Sequence, residues 1–588
     1  MDARLSPQVI IHDASECGWL RHTNPEYVVI AWQAEEVLPA MNRIERIVGE
    51  EGLTAVGFVA YEAAPAFDPA LPAKTDRGFP LVWFGLFRGA EHIENLNADP
   101  NPDPSIARWI PSLTPQEYKK KVGKIREYIE RGDVYQVNFS YRMRATAHAD
   151  PLGLFAGLMA AQETRHAAFV DTGEWAVLSA SPELFFRLDG DHIESRPMKG
   201  TSARGLWYQD YCAKAEMLRA SEKERAENLM IADMVRNDIG RIADIGRVEV
   251  PALFALERYP TVWQMTSTVY GRTRASLREI FEALFPPASI TGAPKRRAME
   301  IISELEASPR HIYTGTIGWI APHRRAEFNV AIRTVLINHE DKRAEYGVGS
   351  GIVWDSSQDR EWEECSVKSR VLHAMVPEFD LLETILWSPH DGYSLLEYHM
   401  RRLEQSAAYF GFRIDTPLIK DRLDLIASGL PAFFHRVRLI LSRTGNIDLK
   451  ANLAKPMETG FGRITIAKIP IDSSDVFLYH KTTNRKTYEE ALRNSPGFDD
   501  VILFNEKGEA TETTIANIAV EIDGRLWTPP VRCGLLAGTY RARLIEQKKI
   551  QEKPISLNEL RQSANIYLMN SVRGIQKVKL ITSQQVAI

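Results

Sequence analysis

The sequence predicts a mixed α/β or α+β protein built from two domains, on three observations. Segments with helical and with strand periodicity alternate along the chain. The 588 residues exceed the usual size of a single domain. Near Val376-Pro377-Glu378 a charged helix ends, and a strand-like run, Leu381–Trp387, begins. We therefore predict a first domain, with its N-terminal part over residues 1–110 and its main part over 111–376, and a second domain over 380–588.

The first helix is predicted from a capping box followed by a helical repeat. Thr114-Pro115-Gln116-Glu117 combines a capping Thr, Pro at the first helical position and Glu three residues after the cap. Gly132 is typical of the residue after a helix end. Directly afterwards, apolar and polar residues alternate over Tyr135–Tyr141, which predicts a half-buried strand. The apolar residues at helical spacing are Tyr118, Val122, Ile125 and Ile129.

Two further helices and one strand are predicted from similar signals. One helix begins near Ser221, with Glu224 as the acid of its capping box. Another follows Gly292-Ala293-Pro294 and carries apolar residues at helical spacing. The run Leu381–Trp387 predicts the first strand of the C-terminal domain.

Composition excludes several classes of protein. Lys plus Arg total 72 and Asp plus Glu 77, for a net charge of −5, which argues against nucleic-acid and membrane-surface binding. No apolar stretch approaches the length of a membrane span, and the N-terminal residues do not resemble a signal peptide. The four cysteines form no CxxC pair, so we expect a reducing, cytoplasmic location.

Two Glu pairs are the first candidates for chemistry. Glu224 and Glu227, and likewise Glu361 and Glu364, are spaced to lie on one face of a helix. Two such faces together would form an oxygen-rich site suited to Mg²⁺. Each pair alone is equally typical of a solvated helix face.

Longer motifs in a fixed order identify a family. Between Tyr118 and Val371 the chain reads SPELFF, RPMKGTSARG, ERAENLMIADMVRNDIGR, FPPASITGAPKRRAMEII, YTGTIGW and EWEECSVK. These segments resemble the chorismate-utilising enzymes, which include the large subunits of anthranilate synthase and aminodeoxychorismate synthase. The resemblance implies an anthranilate synthase-like α/β sandwich and chorismate as substrate.

One position of this family separates two chemistries. The resemblance implies that a lysine in the PIAGT-type motif, here Lys199 in Arg196–Thr201, attacks C2 of chorismate as the C4 hydroxyl leaves. Ammonia then displaces the lysine to give 4-amino-4-deoxychorismate. Anthranilate synthases usually have alanine there. A nucleophilic amine must be neutral, so we predict a lowered pKa for Lys199.

The resemblance also implies the other residues of this site. Glu183 would protonate the leaving hydroxyl, which requires a raised pKa. Gln264 stands where the family often has histidine, and glutamine cannot deliver a proton. Lys295 and Lys368 are expected to be supporting groups. The implied Mg²⁺ ligands are Glu227, Glu364, Glu224 and Glu361, and the implied substrate-binding residues are Thr201, Gln264, Tyr313, Arg333, Gly349 and Gly351.

The source of ammonia is predicted to be a second protein. None of the four cysteines lies in a G-x-C-x-G elbow typical of glutamine amidotransferases. We therefore expect ammonia from solution or from a separate glutamine amidotransferase subunit.

A second set of motifs follows the domain boundary. Their order along the chain resembles the fold type IV pyridoxal-phosphate enzymes, also called class IV aminotransferases, over Leu381–Lys579. That group includes branched-chain and D-amino-acid aminotransferases and 4-amino-4-deoxychorismate lyase. The segments are HMRRLEQSA from His399, KTTNR from Lys481, ETTIAN from Glu512 and LLAGTYR from Leu535.

The resemblance implies how pyridoxal 5'-phosphate would be held. Lys481 would carry the cofactor and move protons, and Glu512 would pair with the pyridine nitrogen. Arg402, with Gly538 and Thr539 at a helix start, would bind the phosphate. A dimer through this domain is expected.

The two resemblances together predict a bifunctional enzyme. The product of the first domain, 4-amino-4-deoxychorismate, is the substrate of the lyase, which releases pyruvate and the folate precursor 4-aminobenzoate. Three alternatives remain open. In the first, the N-terminal domain makes anthranilate. In the second, the C-terminal domain is a branched-chain or D-amino-acid aminotransferase, and in the third, one half is a non-catalytic module.

Overall fold

The computed structural model describes residues 6–13, 18–74, 78–98, 108–147, 150–373, 377–454 and 462–581. The chain divides into two compact units. The first unit comprises Met1–Ala203 and Ala215–Val376, and the second comprises Arg204–Lys214 and Pro377–Ile588. The first unit is therefore discontinuous in sequence, because the eleven residues Arg204–Lys214 belong to the second unit.

Two antiparallel ten-stranded sheets form the first unit. Sheet one has the order Gly292–Ala293, Gln136–Thr146, Arg343–Ile352, Thr334–Asn338, Trp175–Ser181, His166–Asp171, Gln8–Asp13, Gly18–Thr23 and Glu91–Ile93, with Ile110–Pro111 beside Gln136–Thr146. Sheet two has the order Met198–Ala203, Val262–Arg272, His192–Arg196, Leu184–Asp189, Arg325–Val330, Thr316–Ala321, Thr54–Val59, Val82–Phe87 and Tyr27–Ala31, with Val248–Arg258 beside Val262–Arg272.

The two sheets pack face to face, and helices cover their outer faces. One apolar core joins Val9 and Val177 of sheet one to Phe58 of sheet two. A second apolar core lies between sheet two and its helices, and a third lies between sheet one and its helices. This arrangement confirms the predicted α/β sandwich. The helices are Ala34–Glu51, Ala64–Phe67, Pro115–Glu130, Pro151–Gln162, Glu222–Gly240, Leu277–Leu284, Lys295–Leu305 and Gln358–Ser369.

The local signals read from the sequence are mostly confirmed. The Thr114 capping box is present and opens Pro115–Glu130, whose periodic residues Tyr118, Val122 and Ile125 are buried. The predicted strand is longer than expected, Gln136–Thr146, because it pairs along its length with Arg343–Ile352.

The prediction for Glu224 is wrong in one respect. Ser221 caps Glu222–Gly240 by accepting from the Glu224 backbone N–H, but no reciprocal bond from the Glu224 side chain is found. That carboxylate instead lies beside Gly200, where an added Cβ would be 3.3 Å from Glu224 Oε2. Because the Glu224 carboxylate lies next to the segment that carries Lys199, it does not bond to the backbone N–H of Ser221.

The second unit contains a four-stranded and an eight-stranded sheet. The smaller has the order Gly392–Tyr393, Leu381–Ser388, His435–Leu441 and Ile447–Leu453. The larger contains Ile464–Ile466, Asp500–Phe504, Ala510–Thr513, Asn517–Ile522, Arg525–Thr528 and Gln551–Glu552 in that order, with Asn565–Asn570 beside Asn517–Ile522 and Gly574–Val578 outside it. The helices are Leu396–Phe410, Thr416–Ser428, Lys486–Arg493, Thr539–Glu546 and Leu557–Gln562, together with the first residues of Tyr208–Ala220.

Two composition-based expectations can be compared with the described ranges. No helix in them has the length and apolar character needed to cross a membrane. Cys212, Cys365 and Cys533 are free thiols, whereas Cys17 lies outside the described residues.

Candidate active sites

The first unit contains a cavity of about 150 Å³. Most of the residues predicted for the chorismate site line it. These are Glu183, Lys199, Thr201, Gln264, Tyr313, Arg333, Gly349, Gly351 and Lys368.

Lys199 points its amine into this cavity. Its Nζ donates to Asn138 Oδ1 at 3.1 Å. Burial lowers the pKa of Lys199, an effect that the Glu227 carboxylate opposes and the Lys368 ammonium reinforces. Gly351 leaves room for the amine, because an added Cβ there would lie 2.7 Å from Lys199 Nζ. The direction predicted for the pKa is therefore present, and its main cause is desolvation.

Glu183 lies buried in the wall of the same cavity. Burial raises the pKa of its carboxyl group to about 7, although hydrogen bonds to the charged form oppose the shift. The Ser289 hydroxyl donates to Oε1 at 2.5 Å and the Met198 N–H donates to the same oxygen at 3.4 Å. A carboxyl group with this pKa can hold a proton near neutral pH, as a general acid requires.

The side chains of Gln264 and Thr201 form a hydrogen bond. The Thr201 hydroxyl donates to Gln264 Oε1 at 2.9 Å, across neighbouring strands of sheet two. Neither group is an acid at neutral pH. Of these three residues, only Glu183 can hold and release a proton near neutral pH.

Arg333 and Lys368 place two cationic side chains in the wall of this cavity, and we call them the cationic wall. Arg333 donates from Nη1 to the Lys368 carbonyl, and Lys368 Nζ donates to the Gly349 carbonyl at 3.0 Å. Tyr313 packs against Gly347, where an added Cβ would lie 2.0 Å from the ring. Two cations at a cavity wall suit a substrate carboxylate.

None of the four glutamates proposed for Mg²⁺ is in the lining of the cavity, although Glu224 lies beside Gly200 and Glu227 and Glu364 interact electrostatically with Lys199. Within the described residues no group of three or more acidic, His or Cys side chains lies close enough to hold a metal ion. Burial raises the pKa of Glu224 and of Glu227, and repulsion from neighbouring carboxylates adds to it. Glu361 is buried, and Glu364 pairs with Lys368 at 2.5 Å.

The oxygen donors of these carboxylates are nevertheless of the type that a divalent cation such as Mg²⁺ prefers. Oxygen donors with mutual repulsion are the groups that Mg²⁺ stabilises, and it keeps several waters as further ligands. Lys295 has a different place, because its Nζ pairs with Asp238 at 3.0 Å and it does not line the cavity.

Around this cavity, sequence reasoning missed two contacts of the candidate residues. Asn138 holds the Lys199 amine, and Ser289 holds Glu183. Asn138 lies on the polar face of the alternating strand, and Ser289 lies within the FPPASITGAPK motif. Ser289 could have been singled out as a polar residue within a family motif and Asn138 as a polar residue of a predicted strand, but their partners are 106 and 61 residues away.

In the second unit, Lys481 is the centre of another charged site. The pKa of its amine is lowered to about 8, mainly by burial and further by the cations of Arg402 and Arg485, while the carboxylates of Glu383 and Glu512 oppose the shift. These interactions place the predicted cofactor residues within electrostatic reach of one another. An amine with this pKa is partly neutral at physiological pH, as a nucleophilic lysine requires.

Glu512 has hydrogen-bond donors on both oxygens. The Tyr488 hydroxyl and the Leu536 N–H donate to Oε1 at 2.7 and 3.0 Å, and Asn517 Nδ2 donates to Oε2 at 2.9 Å. Burial raises the pKa of Glu512 to about 7 against these bonds. The carboxylate is therefore fixed in orientation.

Arg402 is oriented by a buried carboxylate that the sequence analysis did not assign. Its Nε and Nη2 donate to the two oxygens of Glu383 at 2.8 and 2.7 Å, and His399 contacts the same carboxylate at 2.7 Å. Arg402 Nη1 donates to the Ala537 carbonyl at 3.2 Å, next to Gly538, the N-cap of Thr539–Glu546.

These residues fit pyridoxal phosphate in their donor chemistry. A partly neutral lysine, a fixed carboxylate, and a guanidinium beside a helix start match its aldehyde, ring nitrogen and phosphate. Gly538 is also required sterically, because an added Cβ would lie 1.8 Å from Asn517 Oδ1.

Comparison with known proteins assigns the two regions of the chain to two families. The sequence model of the chorismate binding enzyme family matches residues 6–374, and that of class IV aminotransferases matches residues 380–581. Over 270 residues the chain is 40% identical to aminodeoxychorismate synthase component 1 of Salmonella typhimurium, covering 45% of this chain and 59% of that protein. Over 295 residues it is 39% identical to an anthranilate synthase component 1 of Haloarcula marismortui, covering 50% and 60%.

The chain thus spans about three fifths of the length of these curated relatives. Among solved structures, anthranilate synthase component I of Streptococcus pneumoniae is similar in fold, with a TM-score of 0.51, 23% identity, and coverage of 64% of this chain and 93% of that one. The chain belongs to the family of chorismate binding enzymes, and it carries a class IV aminotransferase domain C-terminal to the chorismate binding region.

Proposed function

We propose that this chain makes 4-aminobenzoate from chorismate in two steps. The first unit aminates chorismate to 4-amino-4-deoxychorismate, and the second eliminates pyruvate from that product. The observation that carries the proposal is Lys199, whose amine lies in the first cavity with a lowered pKa, in the same cavity as the buried acid Glu183.

In the first step, the neutral Lys199 amine forms a bond to C2 of chorismate, and both ring double bonds shift by one position toward C4. The C4–O bond breaks, and Glu183 gives its proton to the departing oxygen, so that water leaves. Ammonia then bonds to C4 and the C2–N bond breaks, which regenerates Lys199. The net reaction exchanges a hydroxyl group for an amino group without an oxidant or reductant.

Lys199 also favours amination at C4 over anthranilate formation. Relatives named for the two activities are almost equally similar to this chain, at 40% and 39% identity. Overall similarity therefore does not separate them. A lysine positioned for nucleophilic attack has a use in the first chemistry, and by family resemblance it is absent from the second.

The two carboxylates of chorismate require separate partners. Arg333 and Lys368 would bind one of them at the cationic wall. Glu224, Glu227, Glu361 and Glu364 would hold Mg²⁺, which would neutralise the other carboxylate and the mutual repulsion of the glutamates.

In the second step, pyridoxal phosphate supplies an electron sink when it is bound. Lys481 removes the proton at the amine-bearing carbon, and the enolpyruvyl group leaves as pyruvate as the ring becomes aromatic. Glu512 would keep the pyridine nitrogen protonated. Arg402 and the helix start at Gly538 and Thr539 would hold the phosphate.

The proposal extends to partners and location. Ammonia would come from solution or from a separate glutamine amidotransferase subunit, as the name "component 1" of the relatives suggests. A dimer through the class IV domain, a cytoplasmic location and a role in folate synthesis are part of the same proposal.

Product analysis tests the function directly. Purified protein is incubated with chorismate, Mg²⁺, ammonium and pyridoxal phosphate, and the products are separated by chromatography. We expect 4-aminobenzoate and pyruvate in equal amounts. Anthranilate as the product would overturn the first step. Accumulated 4-amino-4-deoxychorismate, together with transamination of branched-chain or D-amino acids, would overturn the second.

A further inference from the structure

A segment of the chorismate binding sequence is part of the second unit. Arg204–Lys214 lies inside the range matched by the first family, yet it clusters with Pro377–Ile588. We call it the 204–214 segment. It follows the strand Met198–Ala203, which carries Lys199.

Arg204 anchors the segment within the second unit. Its guanidinium carbon lies 3.9 Å from the ring centroid of Tyr409, and its Nη2 donates to the Tyr409 carbonyl. The ring of Tyr211 lies on it at 5.1 Å. Arg204 is only 7% exposed. Gly205 allows the segment to fold tightly, because an added Cβ would be 2.2 Å from the Tyr211 nitrogen.

The next two residues contact the stretch of chain directly before Lys481. The Trp207 ring stacks on Tyr479, with centroids 5.6 Å apart. The Leu206 carbonyl lies 3.2 Å from Nε2 of His480. The segment thus contacts both residues that precede the lysine.

The surroundings of His480 define its tautomer. Burial lowers its pKa to about 3, so the imidazole is neutral. A carbonyl can only accept, so Nε2 carries the hydrogen and donates to Leu206. Nδ1 then accepts from the Ser406 hydroxyl at 3.0 Å. His480 is bonded on both sides, and the 204–214 segment provides one of the two partners.

We infer that the 204–214 segment is a positioning element for Lys481, acting through His480. Lys481 is held on its other side, where its carbonyl accepts from the Leu382 N–H at 2.9 Å. Displacement of the segment would leave a buried imidazole N–H without its acceptor and free the residue next to the lysine to rotate. This inference rests on the proposed use of pyridoxal phosphate at Lys481.

The test measures cofactor binding in the full chain. Arg204→Ala removes the anchor, and Arg219→Ala is the matched control, because Arg219 is a 58% exposed arginine of the helix Tyr208–Ala220. The readouts are the Kd for pyridoxal phosphate and the pH midpoint of its visible absorbance when bound. The charged groups facing Lys481, namely Arg402, Glu383, Arg485 and Glu512, are unchanged in both variants.

We expect Arg204→Ala to weaken cofactor binding by about 10- to 100-fold, the order expected when a buried hydrogen-bond donor loses its acceptor, and to shift the absorbance midpoint. Chorismate consumption should stay within about twofold of wild type, and Arg219→Ala should match wild type throughout. A wild-type Kd and midpoint in Arg204→Ala would overturn the inference. An equal loss of chorismate consumption would also overturn it, since that indicates general unfolding.

A second pair of variants covers poor folding of Arg204→Ala. Trp207→Phe keeps a ring against Tyr479, and Trp207→Ala removes it. We expect the Phe variant to retain the wild-type midpoint and the Ala variant to lose it, whereas equal behaviour of the two would contradict positioning by the segment. These readouts need only bound cofactor, so they do not depend on whether the product is 4-aminobenzoate. Absence of any cofactor binding by the wild-type chain would instead be a failure of the proposed function.

Discussion

Removal of the Ser289 hydroxyl should make the first reaction persist to higher pH. In the first cavity, Ser289 Oγ donates to Glu183 Oε1 at 2.5 Å, which stabilises the carboxylate relative to the acid. Burial works in the opposite direction and brings the pKa of Glu183 to about 7. Ser289→Ala removes the shorter of the two donors and leaves the bond from the Met198 N–H at 3.4 Å. The pKa of Glu183 must therefore rise.

The size of the shift follows from the strength of one charge-assisted bond. Such a bond contributes about 1.5–3 kcal/mol, and one pKa unit corresponds to about 1.36 kcal/mol. At the lower end of that range, the pKa of Glu183 rises from about 7 to about 8. In the proposed mechanism the protonated form of Glu183 is the active one, so the alkaline limb of the pH profile should move to higher pH. At about pH 8, the protonated fraction rises from about 0.1 to about 0.5, a gain of about fivefold.

The assay is a pH profile of kcat/KM for chorismate between about pH 6 and 9.5. Free ammonia is held at one concentration throughout, because its own protonation would otherwise shape the curve. Ser202→Ala is the matched control, since the Ser202 hydroxyl donates to the Ala203 carbonyl and not to Glu183.

An alkaline limb that stays in place in Ser289→Ala would refute this reasoning, and so would a shift to lower pH. The maximal rate itself can fall, because the hydroxyl also orients the acid. Glu183→Gln completes the test, because its amide cannot supply the proton. Retention of the wild-type limb and rate in that variant would show that another group is the acid.

Three further predictions follow from the two sites. A chelator should abolish chorismate consumption but leave the visible absorbance of bound pyridoxal phosphate unchanged, and undiminished turnover would show that the four glutamates hold no metal that the reaction needs. Lys481→Ala should consume chorismate and accumulate 4-amino-4-deoxychorismate, and formation of 4-aminobenzoate at the wild-type rate would exclude the second unit as the lyase. Gly351→Ala should slow chorismate consumption at least about tenfold, because its Cβ would lie 2.7 Å from Lys199 Nζ. Gly49→Ala, whose Cβ would meet nothing within 4 Å, is its control and should retain the wild-type rate.

Local patterns in the sequence predicted a few of the helices and strands, and the family motifs supplied the candidate residues. The Thr114 capping box and the apolar repeat after it specify a helix because they satisfy its first N–H groups and one buried face. Motif residues such as Lys199, Glu183, Lys481 and Glu512 could be assigned because their chemistry is tied to short stretches of chain. The roles of these site residues remain predictions.

Only the tertiary structure decided which groups hold those residues in place. Asn138 at Lys199 and Glu383 at Arg402 are polar residues on strands, and nothing in their sequence neighbourhood indicates their partners. The association of the 204–214 segment with the second unit is likewise invisible in a sequence that runs continuously through the first family's motifs. The physical reason is that periodicity and capping are satisfied within one element, whereas burial and hydrogen-bond satisfaction of a charged group are settled by residues that packing brings together from distant parts of the chain.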